Sequence, residues 1–232
     1  MTVTNTLNAA TASATTTPVT LTVSDALVFN APTGLSATVG SLYSLNLGDF
    51  ISGGAPTLTY SMTGTLPSGL SRSGNSILGT VTSSVGATAL TFTVTDANGA
   101  TASRTFTISV AAAQLGTPQS VAAVNKSNTL KTILVSWLSV THASGYILKL
   151  YNSAGTSLLK TITGISGTSY TVDATDYSSL ADSTTYQIAV IASGDAVDYS
   201  NSAESSPATV TTLDGPTAPT VSIGGMQSRT PR

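Results

Sequence analysis

The sequence contains no cysteine, which excludes disulfides, thiolate chemistry and cysteine-type zinc sites. Charge is almost as scarce. Asp, Glu, Lys and Arg make up 8% of the 232 residues, against roughly 25% in an average soluble domain. Ten acidic residues face eight basic ones, and the basic ones are scattered from Arg72 to Arg232. No stripe of Lys or Arg exists to neutralise phosphates, so nucleic acid is not an expected partner. No apolar run reaches the length of a membrane-spanning helix, so membrane insertion is not expected. Residues 1–17 lack the basic start and apolar stretch of a secretory signal. Either the chain is not exported by that route or a leader has been removed, and the initial Met favours the former.

Catalytic raw material is equally thin. His142 is the single histidine, so a two-histidine metal site is excluded. It falls in a predicted turn just before a strand, where a solvated loop histidine is expected, and no recognisable nucleophile–base–acid set accompanies it. Glycoside hydrolysis needs paired carboxylates in a cleft with aromatic sugar platforms. The chain offers one Glu, Glu204, and one Trp, Trp137, which has a place in a core. No glycine-rich phosphate loop precedes a helix. The expectation is a protein that is not an enzyme and takes no cofactor.

What the chain does have is 41% hydrophobic residues, with Ser and Thr filling about a third of all positions. Disordered chains combine low hydrophobicity with high net charge, and this composition is the reverse. Thr and Val are β-branched and fit a pleated surface. Segments of alternating apolar and polar residues recur, separated by Gly, Asn, Asp, Ser and Pro, and no long 3.6-residue apolar period appears. The pattern predicts an all-β protein: two tandem Ig-like β-sandwiches with an extended N-terminal arm and a short C-terminal tail. The divisions are an arm over 1–25, a first sandwich over 26–112, a linker over 113–117, a second sandwich over 118–214 and a tail over 215–232. A surface with so few charges repels neighbours weakly and tolerates close packing with other copies.

In the first sandwich, Leu42–Leu47, Thr57–Met62, Ile77–Val81, Leu90–Thr95 and Thr105–Val110 read as strands. The last two form a hairpin closed by Asp96-Ala97-Asn98-Gly99, where Asn-Gly supplies positive φ. Val39-Gly40 ahead of Tyr43-Ser44, the Leu66-Pro67-Ser68-Gly69-Leu70 box, Leu78-Gly79-Thr80 and Phe92-Thr93-Val94-Thr95-Asp96 resemble the bacterial Putative Ig family, a cadherin-like module. The resemblance implies a fold and a habit of repetition, not an activity.

The second sandwich resembles fibronectin type III. Ile133-Leu134-Val135-Ser136-Trp137 is similar to that family's strand B with its core Trp. Gly145-Tyr146-Ile147-Leu148-Lys149-Leu150-Tyr151 is similar to strand C. Leu180, followed by Tyr186, Ile188 and Val190, resembles the tyrosine corner leading into strand F, with Ala208–Thr212 as the last strand. The buried Tyr is expected to find a hydroxyl partner on nearby backbone. No Arg-Gly-Asp is present, so integrin-type adhesion gains no support.

Three sets of residues are candidate sites. Asp96 and Asn98, approached by Asp49 from another loop, are the candidate calcium ligands, since calcium takes six or more oxygens. The same stretch is also a turn sequence, in which Asp and Asn bond their own backbone, and this is the stronger of the two readings. Asp195, Asp198 and Tyr199 lie in the F–G loop, which the resemblance marks as a recurrent contact site and so a candidate for partner contact. The third set lies at the ends. Pro18–Val23 alternates like a last strand without its own domain, and Ala218–Ile223 like a first strand whose module never follows. Residues 18–23 are either an early strand of the first sandwich or, with Val19, Leu21 and Val23, a strand added to a neighbouring subunit's sheet edge. Val221 and Ile223 are the counterparts at the other end.

Modules of these two families imply a non-enzymatic structural or attachment protein. A bacteriophage virion component is the first expectation: a capsid decoration, head fibre, neck or tail protein. Its partners would be other assembly proteins and copies of itself, with a host-surface glycan or protein as a further ligand. A bacterial cell-surface or secreted adhesin or carbohydrate-associated module is the alternative, with a strand-exchanged filament subunit as a third.

Overall fold

The protein is described by a computed structural model over residues 2–7, 10–15, 23–84, 89–126 and 129–215. It is all-β. A hairpin of β1 (Thr2–Leu7) and β2 (Ala10–Thr15) comes first. The first sandwich comprises β3 (Val28–Phe29), β4 (Ser36–Thr38), β5 (Leu42–Asn46), β6 (Ile51–Ser52), β7 (Thr59–Thr63), β8 (Leu70–Ser73), β9 (Ser76–Thr80), β10 (Ala89–Thr95), β11 (Thr101–Thr107) and β12 (Ser109–Ala111). The second comprises β13 (Ala113–Gln114), β14 (Ala122–Asn125), β15 (Ile133–Ser136), β16 (Gly145–Tyr151), β17 (Leu158–Ile165), β18 (Ser169–Val172), β19 (Thr185–Ser193), β20 (Tyr199–Ser200) and β21 (Ala208–Thr211).

The first core lies between sheet β11-β10-β7 and sheet β5-β9-β8. Period-two alternation decides which residues enter it. In β10, Leu90, Phe92 and Val94 are fully buried, and Thr91, Thr93 and Thr95 face outward. Phe92 meets Phe29 edge-on at 5.8 Å. The outward positions of this sheet are in register as a patch of hydroxyls: Thr91 is paired with Thr105 and Thr63, and Thr93 with Ser103 and Ser61. The Thr91–Thr105 and Thr93–Ser103 hydroxyls bond each other at 2.9 and 2.8 Å. This side of the sandwich is wetted by hydroxyls rather than by charge.

The second sandwich packs a three-stranded sheet, β14-β15-β18, on a four-stranded one, β17-β16-β19-β21. Trp137 lies edge-on to Tyr146 at 5.2 Å, and the Tyr146 hydroxyl accepts from the Val140 N–H at 2.9 Å. The tyrosine corner forms as the residue pattern predicts: the buried Tyr186 hydroxyl accepts from the Ala181 N–H at 3.0 Å. Beside β19 the chain runs through Ser202 and Ser205, both buried. Their hydroxyls accept from the N–H groups of Ala192 and Val190 at 2.9 and 3.0 Å. Two side chains thus satisfy ladder donors where the last strand is irregular.

The N-terminal arm differs from expectation in containing the paired strands β1 and β2. Val23 is described, 83% exposed and outside any strand. Val19, Leu21, Val221 and Ile223 lie outside the described residues.

Replacing Tyr186 by Phe removes the corner bond and strands the Ala181 N–H. The expected loss is about 1–2 kcal/mol from the second sandwich. Urea unfolding followed by fluorescence of Trp137 measures it selectively, because the chain's single Trp belongs to that core.

Candidate functional site: the seam between the sandwiches

The last strand of the first sandwich continues almost without pause into the second. β12 pairs in parallel with β4, from Ser109↔Ser36 to Ala111↔Thr38. After Ala112, β13 pairs in parallel with β20, Ala113↔Tyr199 and Gln114↔Ser200. Leu115 is buried in the second core. Residues 113–115, within the stretch expected to act as a linker, are hydrogen-bonded and anchored.

The F–G loop sits against this crossing, and its aspartates shape it. The Asp195 Oδ1 accepts from the N–H groups of Val197, Asp198 and Tyr199 at 2.9, 2.8 and 2.9 Å. Those bonds, with Tyr199 first, hold its carboxyl below the ordinary aspartate value. Ala196 takes a left-handed φ of 62° within the loop, and the carboxylate bonds on its far side fix the turn.

Asp198 then reaches the other domain. Its Oδ1 accepts from the Ser84 N–H at 2.6 Å and the Ser83 hydroxyl at 2.9 Å. Its main-chain carbonyl accepts from the Ala113 N–H at 2.9 Å. The Ser84 hydroxyl donates to the Val197 carbonyl. The Ser84 N–H is the main cause that holds the Asp198 carboxyl low. Tyr199 stacks on His142 of the B–C turn, ring centres 4.4 Å apart and planes 9° from parallel. The three loop residues named as candidates for partner contact therefore make contacts within the chain: Asp195 shapes the loop, Asp198 clips it to the first sandwich, and Tyr199 packs it on the B–C turn. Ser83 and Ser84 carry no local signal, since they lie more than a hundred positions from Asp198.

The calcium candidates are engaged in local loop bonds. The Asp96 Oδ2 accepts from the Ala55 N–H at 2.9 Å, and its Oδ1 from Asn98 and Ala100, each at 2.9 Å. These bonds, the Ala55 one foremost, lower its carboxyl below the ordinary value. Its oxygens serve the turn and tie it to the neighbouring loop. Asn98 contributes its N–H to Asp96, and Asp49 accepts from the Asn46 amide at 2.7 Å. Among the described residues no three His, Cys, Asp or Glu side chains gather as a metal-ligand group.

Shallow depressions of about 350 and 170 Å³ flank Glu204 on the second sandwich. Glu204 is paired with Lys149 and accepts from the Tyr151 hydroxyl at 2.9 Å. The carboxylate is thereby held below its usual range, Lys149 being the first cause.

Three-on-four sheet order, a core Trp and the tyrosine corner give the second body the arrangement that its resemblance to fibronectin type III implies, behind an Ig-like sandwich. Residues 26–111 match the family model described as Putative Ig domain. Solved structures similar to the chain include an Fn3-like protein from Clostridium thermocellum. It is 25% identical, with 41% of this chain and 91% of that one covered and a TM-score of 0.35. The FN1-FN3 domains of chicken CNTN1 are 15% identical, with coverage of 82% and 66% and a TM-score of 0.37. No curated protein matches the chain. Both module types are typically non-catalytic, and their combination suggests a surface or structural protein.

Asp198→Ala is expected to free the sandwiches to move about Ala112 while each stays folded. Small-angle X-ray scattering would show a broader distribution of dimensions, and the thermal unfolding of each sandwich would be preserved. A carboxyl with a depressed folded-state pKa contributes fully above its ordinary value and loses that contribution as pH falls through the depressed one. The same broadening should therefore appear in the wild-type chain only on acidification below the ordinary aspartate range. Asp96→Asn places an amide against the N–H donors and should lower the melting temperature of the first sandwich alone, whereas EDTA should leave the wild-type melt unchanged.

Proposed function

We propose that this protein is a non-enzymatic structural and attachment component of a bacteriophage virion, a capsid decoration, head-fibre, neck or tail protein that displays two coupled sandwiches. The observation that carries this reading is the seam. A segment paired to both bodies and a loop clipped across them favour a stiff display unit over two beads on a flexible string. Stiffness suits a part that must hold a module at a fixed distance from a crowded particle. Inter-domain motion is the default where the interface is small, and here backbone bonds work against it.

The surface chemistry supports the same use. A hydroxyl-covered sheet face and 8% charged residues let copies stand close together with little mutual repulsion. The partners proposed are other virion proteins, copies of the same chain and a host-surface glycan or protein. The carboxylates of Asp96, Asp195 and Asp198 accept from backbone N–H groups rather than facing a cleft-borne nucleophile.

Antibodies against the chain applied to fractions of its native source test this. The expected result is co-sedimentation with DNA-filled particles and labelling of those particles in electron micrographs. Label confined to the bacterial envelope, with particles bare, would replace the virion reading by the adhesin one.

A further inference from the structure

We infer that the N-terminal hairpin is a self-association element, through which copies of this chain join by adding strand to strand. This deepens the assembly reading above by naming the partner as a second copy. β1 and β2 pair from Thr2↔Thr15 to Leu7↔Ala10 with no break in register. Among the described residues neither strand is hydrogen-bonded to a third. A two-stranded hairpin alone is marginal in water, and independent stability requires further strands or a covered face.

Its edges are also undefended. Proteins keep free edges from pairing with lysine, proline, bulges or inward-pointing charge. Here the first proline is Pro18, the first charged residue is Asp25, and the register carries no bulge. Among the described residues two six-residue edges are open, one on each strand, so each hairpin can both offer a strand and receive one.

A second copy is the occupant this chemistry favours. With no charged side chain across residues 1–24, no side-chain charge in the hairpin selects a partner of opposite sign or repels an identical one. Thr and Val, which recur in this stretch, favour strands.

The test is the molar mass of the full chain by light scattering across a concentration series, beside the double variant Thr4→Lys with Ser13→Lys. These positions are directly opposed, so two lysines there repel across the pair and arm both edges. The expected result is a wild-type mass at least twice 23.2 kDa and a variant at the single-chain mass, with both sandwiches melting as before. Hydrogen exchange in residues 2–7 and 10–15 should be slow in the wild type and fast in the variant. A wild-type chain of single-chain mass at all concentrations would overturn the inference, whether or not the hairpin is protected. So would a variant that keeps the multiple. Particle labelling is independent of either outcome, so the virion reading stands or falls separately.

Discussion

The backbone hydrogen bonds of residues 109–115 are the constraint on which the two-sandwich body depends. Those residues close the first sandwich through β4 and open the second through β20, and Leu115 commits the segment to the second core. Two β-sandwiches could each fold around their own apolar interiors, as the separate core clusters show. What makes them one body is that the crossing chain has its polar groups claimed on both sides. The F–G loop can reach Ser83 and Ser84 only because this crossing brings it alongside.

Aspartate has an unusual role in a molecule with so little charge. Asp96 and Asp195 each collect backbone N–H groups of a tight loop, and Asp96 and Asp198 each tie their loop to a distant segment. A carboxylate accepts several bonds at once, and charged acceptors make stronger bonds than neutral ones. The loops are thereby tied down in a chain that has no cysteine for disulfides. The cost is that the carboxylates best placed for ligand chemistry are already occupied.

Much of the fold was legible in the sequence because its signals are local. Alternation in Leu90–Thr95 and Gly145–Tyr151 assigns the core face directly, and Trp137, Tyr146 and Tyr186 occupy the positions their motifs imply. The site was legible only in part. Asp195, Asp198 and Tyr199 could be singled out, but as an outward-facing set, because pairing across 115 positions leaves no trace in a window of neighbours. Ser83, Ser84, Ser202 and Ser205 are anonymous in a chain where Ser and Thr fill about a third of positions; only the fold distinguishes a hydroxyl that closes a buried ladder from one that meets water. The β1–β2 pair was missed because its Thr- and Ala-rich stretch resembles an arm and its sequence has few large apolar residues to announce a core.

Ala112 alone separates the strand that ends one sandwich from the strand that begins the next. Because side chains alternate sides at every step, an insertion or deletion there would turn Leu115 out of the interior or slide Ala113 away from its partner. The junction is therefore a fixed-phase coupling. Modules could be exchanged at this point only by carrying the spacing with them.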